Sequence, residues 1–309
     1  MRLIRHLNTE AEPRPATALA IGNFDGLHRG HQALIRAVCA RADELLPALM
    51  CFEPLPATFF RPEQPVLRLL NRRDKLRLCR RYGLEQVYML RFDRAFAALS
   101  PEAFVSEVVV AGAGAKQVVV GDDFRFGARA SGDITRLREL GEEHGFGVQV
   151  IDEINEDGIR ISSSAVRQAM AEGELQRVRQ LLGRAYAISG LVLRGRQLGR
   201  QLGFPTVNIR PPDPPALAGI LAVRVSGEGL DRHPGVASLG LRPTVGGTNW
   251  LLEVHLFDFD GTLYGQHLNV EFVEYLRPEQ SFASLEELTR QMHEDARQAR
   301  AALGMNPET

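Results

Sequence analysis

From Met1 to about Leu182, short apolar runs alternate with longer stretches whose apolar residues recur at helical spacing. The apolar runs predict strands at Thr17–Ile21, Ala48–Phe52, Gln86–Leu90, Gln117–Val120 and Val148–Ile151. The stretches between them predict helices at Gln32–Leu46, Arg72–Tyr82, Pro101–Val110 and Asp133–His144. Strand–helix alternation at this spacing implies a parallel sheet covered on both faces. Ligands of such sheets bind at the carboxyl ends of the strands. Arg167–Leu182 reads as a helix broken at Gly173, with Gly183 as its stop. From Tyr186 the texture changes. Short β-like runs (Tyr186–Leu193, Ile220–Val225, Gly235–Leu239, Trp250–Phe257, His267–Phe272) are separated by Gly and Pro, the pattern of an antiparallel barrel or sandwich. Leu285–Leu303 predicts a final helix, with Ser284 and Glu287 as its capping-box pair. The boundary falls near Gly183–Arg184, giving domains 1–183 and 184–309.

Composition changes this picture little. A chain of 309 residues suits two domains, and 44% apolar residues support a real core. A net charge of -1 argues against a general nucleic-acid or membrane-surface binder. Arginine greatly outnumbers lysine, which suits phosphate contacts. Cys39, Cys51 and Cys79 have neither CxxC nor zinc spacing and read as reduced thiols. The N-terminal residues lack a signal-peptide core, and no run is long enough to cross a bilayer. The expectation is a cytoplasmic protein, a monomer or weak homo-oligomer, with small-molecule partners and neither nucleic acid nor membrane.

The chemistry begins at Gly22-Asn23-Phe24-Asp25-Gly26-Leu27-His28-Arg29-Gly30-His31, directly after the first strand. Glycines let backbone approach a ligand closely, and a helix start offers unpaired N–H groups to phosphate. His28 and His31, three apart, share a face if the helix has begun. The same pattern fits an ordinary βα turn. It also fits a metal site with Asp25, although i, i+3 is a poorer ligand spacing than i, i+4.

Three further segments fall at strand ends: Phe52-Glu53-Pro54-Leu55-Pro56, Gly121-Asp122-Asp123-Phe124-Arg125-Phe126-Gly127, and Ile161-Ser162-Ser163-Ser164-Ala165-Val166-Arg167. Three serines exceed what one helix cap needs, and Arg167 would lie in the first turn after them. Hydroxyls, backbone N–H groups and a guanidinium together suit a polyphosphate. Asp122 and Asp123 serve a turn or a ligand equally well. The basic run Arg72-Arg73-Asp74-Lys75, with Arg77, Arg80 and Arg81, reads as a solvated helix face.

In the second half, Gly199-Arg200-Gln201-Leu202-Gly203-Phe204-Pro205-Thr206-Val207-Asn208 is glycine-rich and basic, ending in a hydroxyl and an amide. No Walker A sequence occurs anywhere, so this stretch is either the phosphate loop or a barrel corner. Pro211–Pro215 should be a surface loop. Glu271 and Glu274 interrupt an apolar run and point to opposite faces of a strand. Phe257-Asp258-Phe259-Asp260-Gly261-Thr262 resembles a phosphatase nucleophile motif, but the short remainder of the chain has no lysine, and Asp260-Gly261 reads better as a hairpin turn.

Taken in order, GNFDGLHRGH, FEPLP, GDDFRFG, ISSSAVR, GRQLGFPTVN, LRPTV and LNVEFVEYLR resemble the bacterial bifunctional riboflavin kinase/FMN adenylyltransferase family over nearly the whole chain. The resemblance implies an α/β Rossmann-like nucleotidyltransferase domain followed by an antiparallel β-barrel riboflavin kinase domain with a C-terminal helix. It implies that riboflavin and ATP give FMN in the barrel, and that FMN and ATP give FAD and pyrophosphate in the first domain, with Mg²⁺. His28, Gly30 and His31 match the family's His-x-Gly-His signature. Ser162, Ser163, Ser164 and Arg167 match its second phosphate motif. Gly22, Asn23, Phe24, Asp25 and Asp123 are the further binding residues expected in the first domain. Gly199, Arg200, Gly203, Pro205, Thr206 and Asn208 match the kinase phosphate loop, with Thr206 and Asn208 near Mg²⁺. Glu271 is matched to the catalytic glutamate, with His28, His31 and Arg167 as the remaining catalytic residues. Leu55, Ser164, Leu221 and Ser238 depart from residues common in the family. Competing readings are a nucleotidyltransferase for another substrate carrying an accessory barrel, and a flavin-binding regulator without turnover.

Overall fold

Three consecutive residues that accept β conformation, Arg2–Ile4, open the computed structural model as strand β1. Residues 1–7, 14–156, 158–194, 203–244 and 247–306 are described. The chain divides into two compact units, Met1–Val66 with Lys75–Ser162, and Leu67–Asp74 with Ser163–Thr309.

In the first unit, β2 (Thr17–Ile21), β3 (Leu46–Glu53), β4 (Gln86–Arg91), β5 (Ala115–Gly121) and β6 (Gly147–Ile151) join β1 in a six-stranded sheet ordered β1-β4-β3-β2-β5-β6. Every pairing is parallel. Central strands buried on both faces need unbroken apolar runs, and Ala18, Leu19, Ala20 and Ile21 are all 0–1% exposed. The core adds Met50, Tyr88, Val118 and Val120 to Val105, Val108 and Val109. Strand order reverses beside β2, so the segment leaving β2 opens at a topological switch point.

Helix α1 is Arg29–Cys39, and the expected continuation to Leu46 does not form. Pro47 cannot extend a helix and disfavours helical backbone at Leu46. Leu46 instead donates to the Ala16 carbonyl and begins β3. α2 (Pro56–Phe60) and α4 (Arg94–Ala97) are short helices without a sequence-stretch long enough to predict them, and α3 is Arg72–Arg81. α5 (Pro101–Ala103) runs into a π-helical stretch, Phe104–Gly112, where an ordinary helix was expected. Its wider turns place Val105, Val108 and Val109 against the sheet. α6 (Ile134–His144) is capped by Asp133, whose Oδ1 accepts from Arg136 N. A small antiparallel pair, β7 (Asn155–Glu156) and β8 (Ile159–Arg160), precedes the serine-rich segment.

In the second unit, α7 (Ser163–Ala171) and α8 (Leu175–Leu182) flank Gly173, whose φ of +74° ends the first helix as expected. A Cβ there would lie 2.8 Å from the Tyr275 ring. Strands β9 (Ala187–Leu193), β10 (Thr206–Ile209), β11 (Gly219–Gly227), β12 (Leu230–Thr244), β13 (Gly247–Leu256) and β14 (His267–Arg277) close a barrel ordered β10-β13-β12-β11-β14-β9. All its pairings are antiparallel. Leu252, Val254, Leu268, Val270 and Phe272 alternate inward along β13 and β14. The expected two-residue hairpin at Asp260-Gly261 is instead a longer connection between Leu256 and His267. Its left-handed residues are Asp258, at φ +53°, and Gly265, at φ +77°. Pro211–Pro215 stays outside the named strands, but Pro211 and Pro215 are buried rather than on the surface.

The final helix, α9 (Leu285–Ala302), packs Ala299 against Ile220, Ala222, Val236 and Phe257 on the outer face of the barrel. Ser284 Oγ accepts from Glu287 N, and the Glu287 carboxylate accepts from Ala283 N. Arg277 donates two hydrogen bonds to the buried Asp295 carboxylate, at 2.7 and 2.6 Å. Removing one partner of such a pair leaves a buried charge unmatched. Asp295→Ala is therefore expected to destabilise the barrel by about 3–5 kcal/mol. Urea unfolding followed through Trp250, the only tryptophan, measures it; a midpoint equal to wild type contradicts the expectation. No helix of the described residues is long and apolar enough to cross a membrane.

Candidate active sites

The segment leaving β2 is a tight turn with unusual backbone. Phe24 and Leu27 have φ of 48° and 47°, and Gly26 has 83°. Left-handed backbone is costly for bulky side chains and persists only where packing over-determines it. Here both side chains are 0% exposed, so burial holds them. Gly22 N donates to the Met50 carbonyl at 3.1 Å, tying the turn to β3. His28 is the N-cap of α1, and its Nδ1 accepts from His31 N at 3.4 Å. The two imidazoles stack, centroids 3.6 Å apart and planes 24° off parallel. The expected shared face is thus present. A Cβ on Gly30 would come within 3.1 Å of the His28 ring, so glycine is what leaves that ring its place. Asp25 is buried at 2% exposure, while Asn23 is exposed. Among the described residues no group of three His, Cys, Asp or Glu is arranged to hold a metal.

His31 carries a buried Nδ1 with no hydrogen-bond partner among the described residues. Its pKa lies well below 6.5, first because the ring is desolvated, then because His28 and Lys75 disfavour a second positive charge. At neutral pH the ring is uncharged. Because the folded pKa lies below the unfolded value of 6.5, the unfolded chain binds the extra proton first. The contribution to stability is present above that value and is lost as pH falls through the folded pKa. Melting temperature is expected to fall on acidification below that value, and His31→Gln to flatten the dependence. An identical acid dependence in the variant rules His31 out as its source.

Lys75 is the residue that the sequence pattern hid. Arg72, Arg73, Arg77, Arg80 and Arg81 are exposed, as a solvated face requires, but Lys75 is 1% exposed. Its Nζ donates to the Asn23 carbonyl at 3.2 Å. The only hint in sequence is spacing: Lys75 stands four residues before buried Cys79 on the same helix face.

The FEPLP segment leads into a second feature that no motif announced. Phe52, Phe59, Phe60, Phe92, Phe96 and Phe104 form a chain of rings with centroids 5.2–6.1 Å apart. Phe60 is 63% exposed, leaving an aromatic surface near the carboxyl ends of β3 and β4.

The remaining residues of the first site are distributed as follows. Asp123 pairs with Arg160 at 2.5 Å, so its carboxylate has a protein partner. Ser162 closes the first unit. Ser163 and Ser164 open α7 in the second, where Arg167 Nε donates to the Leu67 carbonyl at 2.7 Å.

In the barrel, Gly199 and Arg200 lie outside the described residues. Gly203 has φ +81°, and among the described residues nothing stands within 4 Å of where its Cβ would be. The Pro205 carbonyl accepts from His255 Nδ1 at 2.9 Å. Thr206 and Asn208 belong to β10, opposite His255 and Glu253 of β13. Asn208 is 7% exposed. A cavity of about 430 Å³ lies here, lined by Phe204, Thr206, Ser238, Arg242, Glu253 and Glu279 among others. Arg242 bridges Glu253 at 3.0 Å and Glu279 at 2.6 Å, and donates to Ser238 Oγ at 2.6 Å.

Glu271 is elsewhere. Its β14 position pairs with Ala187 and Arg224, and its carboxylate takes both arms of Arg232, at 2.7 and 2.8 Å. It does not line the cavity that Thr206 lines. Glu271 is matched to the catalytic glutamate by the family's motif, but as a carboxylate interrupting an apolar run it has an equal in Glu253 of Leu252-Glu253-Val254. Only the β10–β13 register separates them.

Residues 10–165 match the family model described as FAD synthetase, and residues 182–303 match the one described as riboflavin kinase. A protein of Escherichia coli (strain K12) named bifunctional riboflavin kinase/FMN adenylyltransferase is 44% identical over 99% of this chain and 99% of its own. Proteins with the same name from Haemophilus influenzae and Pseudomonas fluorescens are 39% and 41% identical, each over 97% of this chain and over 99% and 97% of their own. Among solved structures, the crystal structure of a macrolide-efflux protein from Streptococcus pneumoniae has a TM-score of 0.81 at 29% identity, over 95% of this chain and 97% of that one.

Proposed function

The chain belongs to the bifunctional riboflavin kinase/FMN adenylyltransferase family, and from that premise we propose that it makes FAD in two ATP-dependent steps. Residues 184–309 phosphorylate riboflavin to FMN, and residues 1–183 transfer AMP from ATP to FMN, releasing pyrophosphate. The observation that carries the reading is the stacked His28–His31 pair at the start of α1, on a left-handed turn at the sheet's switch point, inside the segment matching FAD synthetase.

In the adenylyl step, a phosphate oxygen of FMN attacks the α-phosphorus of ATP in line, and the bond to pyrophosphate breaks. No protein nucleophile is required. His28 and His31 are aimed with the first N–H groups of α1 at the charge that develops on the phosphates. The family's second phosphate motif assigns Ser162, Ser163, Ser164 and Arg167 to phosphate binding. Gly22, Asn23, Phe24, Asp25 and Gly30 shape the nucleotide turn. The exposed aromatic surface around Phe59 and Phe60 suits a flat ring system, which stacks on aromatic faces.

In the kinase step, a base takes the proton of the ribityl hydroxyl as its oxygen attacks the γ-phosphorus of ATP, and the bond to ADP breaks. The geometry favours Glu253 over Glu271 for this role, because Glu253 shares a cavity with Thr206 and a register with Asn208. Oxygen donors suit Mg²⁺. The buried Asn208 has no side-chain partner among the described residues, so Thr206 and Asn208 fit that ion, which would neutralise ATP phosphate charge. Gly199, Arg200, Gly203 and Pro205 complete the phosphate loop. Incubating the purified protein with riboflavin, ATP and Mg²⁺ and separating flavins by chromatography should show FMN and then FAD. Flavin binding without product would indicate a regulator instead. We further read the chain as a cytoplasmic monomer or weak homo-oligomer acting on small molecules, with neither nucleic acid nor membrane as partner. A net charge of -1 supports this, and gel filtration tests the oligomeric part.

A further inference from the structure

The chain has only two lysines, Lys75 and Lys116, among 37 basic residues. One of the two is almost completely buried, on a helix whose arginines all face solvent. A buried ammonium is costly unless something compensates it. Among the described residues Lys75 makes no ion pair, and its Nζ meets one carbonyl oxygen, that of Asn23. An ammonium has three donors. The carbonyl it holds belongs to the residue just before Phe24, where the backbone enters the left-handed region. Strained backbone of this kind needs an external restraint, and Lys75 supplies one from α3. The compact point charge of lysine fits a role that a planar, bulkier guanidinium would not.

We propose that Lys75 is a positioning residue of the adenylyl-transfer site, clamping the Asn23 carbonyl so that the glycine turn keeps the shape that presents His28, His31 and the first N–H groups of α1 to the phosphate chain of ATP. The proposal rests on the reading of that site given above. The buried charge has a second effect. His28, stacked on His31, and Lys75 are the charged or titratable groups acting on His31, and both hold its proton off. Lys75 thereby keeps His31 in one protonation state as pH changes, in addition to holding the turn.

The full-length chain provides its own control, because FMN formation reports on the barrel and FAD formation on the turn. Lys75→Met is expected to lower kcat for FAD formation by about 10²-fold, the cost of a small misplacement of reacting groups. FMN formation from riboflavin should be unchanged. The acid limb of the FAD-forming pH profile should move to higher pH, since removing a positive neighbour raises the pKa of His31. Lys75→Arg should keep the wild-type acid limb while recovering only part of kcat. A Lys75→Met enzyme with kcat, KM for ATP and pH profile within twofold of wild type overturns the proposal. So does parallel loss of FMN and FAD formation with a lowered melting temperature, which would make Lys75 a general structural support. If Lys75→Met does not fold, Lys75→Arg decides, and an unaltered kcat there is equally fatal. A wild-type protein that forms FMN but no FAD would instead remove the underlying reading of the site, a result distinct from failure of the Lys75 variants.

Discussion

Alanine at His28 is expected to abolish FAD formation while leaving FMN formation at the wild-type rate. The side chain does three things at one place. It accepts from His31 N and so closes the first turn of α1, it stacks on the His31 ring at 3.6 Å, and it faces the space that Gly30 leaves open. Losing the cap alone costs only about 1 kcal/mol, too little to unfold a large α/β unit. Losing a preorganised donor to developing phosphate charge costs about 10²–10³ in kcat. The second effect dominates, so the variant should remain folded and fail at chemistry. Chromatography of flavins from riboflavin, ATP and Mg²⁺ should then show FMN accumulating. Simultaneous loss of both products would mean that the defect is in folding or that the two units are not independent. FAD at the wild-type rate would remove His28 from the catalytic set.

Much of the fold was legible because its two sheets obey different periodicities. A doubly covered parallel sheet needs unbroken apolar runs, and Thr17–Ile21 is one. Barrel strands need alternation, and His267–Arg277 shows it from Leu268 to Phe272. What failed was local. α1 ends at Cys39, short of Leu46, where Pro47 disfavours helical backbone, a signal of one residue against a long helical pattern. The π-helical turns at Phe104–Gly112 have no compositional signature that separates them from an α-helix. β10 looks like a loop in sequence because glycine and proline precede it, yet Thr206–Ile209 pair with β13, and Asn208 and Ile209 also with β9.

The candidate sites divide in the same way. His28, Gly30 and His31 are contiguous, so the turn that groups them is written in one short segment. Lys75 reaches the same turn from about fifty residues away, and a basic run predicts exposure whichever member is turned inward. The aromatic chain around Phe60 is assembled from four different elements and leaves only isolated phenylalanines in the sequence.

The barrel supplies the sharpest contrast between pattern and geometry. Glu253→Gln is expected to lower kcat for FMN formation by about 10²–10⁴-fold, the usual worth of a positioned base. Glutamine keeps the shape and a hydrogen bond to Arg242 but cannot take the ribityl proton. Glu271→Gln should change kcat only a few-fold. Its carboxylate is committed to Arg232, whose side chain is 54% exposed, so the pair itself is worth at most about 1 kcal/mol. Glu253 also has an arginine partner, so pairing alone does not distinguish the two. Position does. Across the β10–β13 ladder Glu253 faces Asn208, one side chain from Thr206, whereas Glu271 stands across β9 and β11 from Ala187 and Arg224. A base must reach the hydroxyl that attacks the phosphate held at Thr206 and Asn208, and only a carboxylate on that wall of the barrel can do so. Rates for the two variants, each measured with FAD formation from supplied FMN as the control for folding, decide between them. A severe loss in Glu271→Gln with near-normal turnover in Glu253→Gln would return the role to Glu271, and would mean that the cavity beside Thr206 is not where riboflavin reacts.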